Sequence, residues 1–195
     1  MSHAGIIAKL RAVTNSDLLQ IDPADGLANV AGESDRAAII LETAVLEDWL
    51  LRRLKRALNG LNTDETNRMF DHRGAAGTFA SRLWLAQGLE IITRPQRKKF
   101  EIIKEMRNAC AHSHEAVTFD TPAIREAISY LLVVPELRSE FALASREDMR
   151  GVFLAVIGQC QLEVTNLEQK ELDAETIRRV IKNDTSRRAS LEKQA

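Results

Sequence analysis

Arg107 and His112 are the side chains whose types and spacing could do chemistry. They stand five residues apart in residues 100–114, FEIIKEMRNACAHSH, with Asn108 directly after the arginine. A guanidinium among apolar neighbours is costly unless a carboxylate or a phosphate pairs with it. At about 100° per residue of helix, Phe100, Ile103, Arg107 and Ala111 fall on one stripe, and Ile102, Met106 and Cys110 widen the apolar arc. Arg107 is thus expected inside that arc, facing an acidic side chain, a ligand or another subunit. Five residues is roughly 140° of turn, so a straight helix places His112 on the polar side with Glu101, Glu105 and Asn108. The two groups converge only if the helix ends or bulges near Ala111, or if a second chain completes the site. The competing reading is structural: Arg107 ties helices together and His112 sits at the negative end of a helix.

The counter-ion is expected on the first long helix. Ser34 is a good N-cap and Asn59-Gly60 a good stop. Residues 37–46, AAIILETAVL, are apolar almost all round, as in a central bundle helix. Arg36, Ile40, Thr43, Glu47, Leu51, Leu54 and Leu58 share one stripe, which puts Glu47 on a mostly apolar face. Glu47 is the natural partner of Arg107 or Arg82, with Glu42 a second candidate. The basic run at 52–56, RRLKR, complements a helix C-terminus and reads as solvated charge.

A second place for an anion is the connection at residues 72–79. Arg73, Gly77, Thr78 and nearby Arg82 could cradle a phosphate at the N-terminus of the next helix. A tight loop that lets helices approach closely explains the same glycines, and the pattern lacks the GxxxxGK[ST] spacing.

Helices must position all of these groups. Residues 3–13 make a short one. A turn is expected at 22–26. Phe79, Leu83 and Ala86 face inward on a helix that Gly88 ends. Thr93 and Pro95 launch the Arg107 helix. Thr121-Pro122 starts another, which stops before Pro135. Ser145 caps a further one, with Met149, Val152, Phe153, Val156 and Cys160 inward. A last short helix is expected at 175–183, followed by a disordered end. No alternating strand pattern persists. With 45% hydrophobic residues and only four prolines and nine glycines, the expectation is an all-α, single-domain bundle of about five to seven helices. Residues 1–32 form an N-terminal arm, 33–167 the helical core, and 168–195 a charged, partly disordered tail.

The formal net charge of −1 offers no broad field for nucleic acid, so direct DNA binding is not expected. Cys110 and Cys160 lie in apolar helical patterns and read as reduced core residues. Neither CxxC nor HExxH occurs, so no metal or cofactor is expected. No signal peptide or membrane span is evident, and a cytoplasmic location is the expectation.

Ser34-Asp35-Arg36-Ala37-Ala38, then Leu46-Glu47-Asp48, then residues 77–82 (GTFASR), then Arg107-Asn108 with Ala111-His112 resemble the mannitol operon repressor family. The likeness runs over roughly residues 30 to 165. It implies an all-helical transcriptional regulator without a DNA-binding motif, acting through a protein partner. The Arg107-x4-His112 pattern also resembles HEPN domains, which are helical, often dimeric, and in many cases metal-independent ribonucleases. That likeness implies a HEPN-like bundle and a homodimer. Arg107 would hold a scissile RNA phosphate, Asn108 and Glu47 would support it, and His112 would serve proton transfer or charge stabilisation. A third possibility, after the metabolic name of the first family, is a sugar-phosphate sensor using Arg73, Gly77, Thr78 and Arg82.

Overall fold

The computed structural model describes residues 2–13, 34–132 and 145–165. Among them are seven helices and no strand: α1 (His3–Val13), α2 (Asp35–Ala57), α3 (Thr63–Phe70), α4 (Phe79–Gly88), α5 (Arg94–His112), α6 (Pro122–Leu131) and α7 (Arg146–Thr165). The all-helical expectation holds. The turn at 22–26, the short helix at 175–183 and the tail from 168 lie outside the described residues.

Side-chain caps explain most of the starts. Ser34 Oγ accepts from Ala37 N–H at 3.2 Å. Asn62 with Glu65, Thr78 with Ser81, and Thr93 with Gln96 each form a reciprocal capping box. Each such cap contributes about 1 kcal/mol by giving an orphan helix N–H an acceptor. Ser145 caps α7 by accepting from Asp148 N–H at 3.1 Å. Thr121 differs: its hydroxyl accepts from Thr118 N–H, and α6 relies on Pro122 in its first turn.

The core lies between α2, α5 and α7. Leu46, Leu50 and Leu54 of α2, Phe100, Ile103 and Met106 of α5, and Val152 and Phe153 of α7 are all fully buried. α2 packs on both α5 and α7, α4 packs on α5 and α2, and α1 lies over α5 and α6. Phe119, in the link between α5 and α6, meets Phe153 with ring centroids 5.7 Å apart. α5 therefore touches α1, α2, α4, α6 and α7. Its Arg107 face looks towards α2 and α4, whereas its Glu101–Glu105 face looks towards α1.

Candidate functional site

Three helices bring Glu47, Arg82 and Arg107 together. Glu47 Oε1 accepts from Arg82 Nη1 at 2.9 Å, and Glu47 Oε2 lies 3.6 Å from Arg107 Nη2. One carboxylate thus serves two guanidiniums, one closely and one loosely. Arg82 is otherwise saturated by backbone. It donates to the carbonyls of Ala76 at 2.9 Å, Gly77 at 3.3 Å and Phe70 at 3.4 Å. Its side chain is 11% exposed, whereas that of Arg107 is 32% exposed. The expectation that Arg107 sits within the apolar arc is corrected: it lies at the edge of that arc, where its guanidinium reaches solvent past Glu47.

α5 is unbroken through its last residue, His112. The helix therefore neither bulges nor ends early, and the two side chains leave its axis about 140° apart. His112 and Asn108 are each partly exposed. The end of α5 is closed by backbone and a second arginine. Ser113 N–H donates to Ala109 carbonyl at 3.0 Å, and Arg36 Nη2 donates to Ala111 carbonyl at 3.4 Å.

The loop before α4 presents carbonyl oxygens to Arg82. A Cβ on Gly77 would fall 2.2 Å from Asp71 carbonyl oxygen, and one on Gly74 would fall 2.2 Å from Arg68 carbonyl oxygen. Only glycine permits that approach. Thr78 Oγ1 already accepts from Ser81 N–H at 3.1 Å, and Arg73 is exposed. The close-approach reading thus accounts for both glycines, and Arg82 is committed to Glu47 and the loop.

Two clusters escaped the sequence reading. Asp35, 1% exposed, accepts from Phe119 N–H at 2.9 Å and from Arg146 Nε at 2.5 Å. Arg150, fully buried, holds Nη1 4.0 Å from the other Asp35 oxygen. Glu42 lies in the same region. Burial pushes its carboxyl above the usual range, partly offset by Arg150. Glu42 therefore belongs with Arg150 rather than Arg107. A signal existed: Arg150 shares a helical stripe with Phe153, Ile157 and Val164. The second cluster centres on Arg97, whose Cζ lies 3.9 Å from the Trp84 ring centroid. Arg97 Nε donates to Gln87 Oε1 at 2.6 Å, and Nη1 pairs with Glu101.

Among the described residues, no group of three or more His, Cys, Asp or Glu is placed to hold a metal, and no helix is long and apolar enough to cross a membrane. Burial pushes the Cys110 thiol up to about 12 and Cys160 higher still. Neither is a nucleophile at neutral pH. The fold and site define an all-helical bundle with an inter-helix Arg–Glu–Arg tie. Comparison with known protein families, curated proteins and solved structures finds no match for this chain.

Proposed function

We propose that this chain is a non-catalytic transcriptional regulator of the mannitol operon repressor kind, acting through a protein partner rather than by holding DNA itself. The observation that carries the reading is the unbroken run of α5 through His112. It directs His112 away from Arg107 and leaves the guanidinium beside Glu47 with no imidazole on the same face of the helix. The tie then fixes the relative register of α2, α4 and α5. The net charge of −1 supports a protein partner over a nucleic-acid backbone. A homodimer and a cytoplasmic setting go with this proposal.

One observation favours the HEPN-type ribonuclease as a second reading. Arg107 is one-third exposed and held at 3.6 Å, so it retains donors for a phosphate. In that case His112 of a second copy would complete the site across a two-fold axis.

Two measurements separate these. Transcript profiling of a strain lacking the gene is expected to show a small changed set, restored by wild type and by His112→Ala alike. A metal-free RNA cleavage assay is expected to give no cleavage with either protein. Cleavage by wild type that is lost in folded His112→Ala would overturn the regulator reading.

A further inference from the structure

Trp84 is the most exposed large apolar side chain among the described residues, at 59%. An indole left so open forgoes much of the burial that such a ring normally contributes. It borders a cleft of about 490 Å³ between α1, α4 and α5. That volume falls within the range of small-molecule sites. α1 lines the cleft with Ala4, Ile7 and Ala8, the two alanines one turn apart, and Ala80 stands one turn before Trp84 on their own helix, α4. The space between an indole and this short apolar wall of α1 is a slot for a flat ring.

The slot has a defined backing. Arg97, only 7% exposed, lies against the indole with Cζ 3.9 Å from its centroid. A cation already occupies one of the ring's two electron-rich faces, so the other favours a neutral partner over a second cation. The charges lining the cleft are also matched within the protein. Glu101 pairs with Arg97 and lies 3.3 Å from His3 Nε2, and Glu105, 6% exposed, pairs with Lys104 at 2.8 Å. His3 donates from Nε2 to Lys98 carbonyl at 3.1 Å. Burial, with the Lys98 and Arg97 cations, holds its pKa below the ordinary value, so the ring is neutral at neutral pH. No uncompensated charge therefore asks for an ion. The carboxylate of Glu101 and the ammonium of Lys104 still offer an acceptor and a donor to the edge of a bound ring.

We propose that this cleft binds a flat, uncharged heteroaromatic small molecule, stacked on Trp84 against Ala4, Ile7 and Ala8 of α1 and hydrogen-bonded at its edge by Glu101 and Lys104. Occupancy would bridge α1 to α4. α1 is otherwise fastened by buried Ile6, by His3 on the Lys98 carbonyl and by Lys9 on Glu126 at 2.7 Å. The ligand therefore holds the N-terminal helix down, a means of ligand control beyond the regulatory reading. It stands or falls separately from that reading, because ligand binding and transcript levels are read independently.

The test uses the full chain and three probes: adenosine, uridine and nicotinamide. Trp49→Phe leaves Trp84 as the sole tryptophan. At least one probe is expected to quench its fluorescence saturably at millimolar concentration or below, and to raise the Tm of the wild-type protein. Ala8→Leu keeps a helix-compatible residue on an exposed face but fills the slot. It is expected to weaken that probe at least tenfold with Tm unchanged. Quenching that stays linear with all three probes and no rise in wild-type Tm overturns the proposal. So does equal affinity in Ala8→Leu.

Discussion

Asp35 shows how much one short side chain holds. It stands at the first position of α2, where its charge suits the positive helix end. From there it gathers the Phe119 N–H, Arg146 of α7 and, at longer range, buried Arg150. Removing one partner of such a group strands a buried charge. Asp35→Ala is therefore expected to cost about 3–5 kcal/mol in urea unfolding, far above the ~1 kcal/mol typical of a point mutant. Glu42 should behave in the opposite way. Burial raises its folded-state pKa above the unfolded value, so the ionised form is the one folding disfavours. Its contribution is favourable at low pH and is lost as pH rises through the folded pKa. Wild type is thus expected to gain stability relative to Glu42→Gln as pH falls from neutrality towards the ordinary carboxylate range. Urea midpoints of both proteins at several pH values check this, and a difference independent of pH would contradict it.

At the scale of elements, two arginines share a carboxylate but not a role. Arg82 makes four donor contacts, three to carbonyls around the α3–α4 loop and one to Glu47 of α2, two or more of which a lysine ammonium could not reach from the same stem. Arg107 has one loose contact and is partly exposed. Arg82→Lys is expected to destabilise by about 1–3 kcal/mol, whereas Arg107→Lys should fall within ~0.5 kcal/mol of wild type. Thermal and urea unfolding of the two variants side by side decide it, and equal losses would show that Arg107 carries as much of the tie as Arg82. Helix starts were readable from the sequence because caps are local chemistry: Ser34, Thr93 and Ser145 all cap as their positions suggest. The end of α4, expected near Gly88, falls there, but the residue that turns the chain was not readable. Gly88 remains helical, and Glu90 takes the left-handed turn at φ 56°, with Ile91 N–H reaching back to Ala86 carbonyl at 2.9 Å. Tertiary anchoring of buried Ile91 and Ile92 outweighs the preference for glycine there.

For the whole molecule, the apolar stripes were sufficient to foresee an all-helical core, because burial follows the helical period. They were insufficient to foresee which charges would meet inside that core. Glu47 was found from its place on an apolar stripe. Arg150, on an equally apolar stripe of α7, and Asp35 meet only once α2, α7 and the Phe119 link are assembled, and sequence spacing carries no trace of such a meeting. The two thiols test whether this assembly opens as one unit. Cys110 on α5 and Cys160 on α7 are both buried in the same core, with their pKa values pushed up by desolvation. Thiolate reagents therefore need the core to open, not merely the surface to move. With Ellman's reagent at pH 8, native protein is expected to leave both thiols unreacted. Across a urea series, both should become reactive at one midpoint, coincident with loss of helical circular dichroism. Peptide mapping by mass spectrometry tells the two sites apart. Labelling of Cys160 at lower urea than Cys110 would show that α7 leaves the bundle first, and that the Asp35 network is weaker than its burial implies.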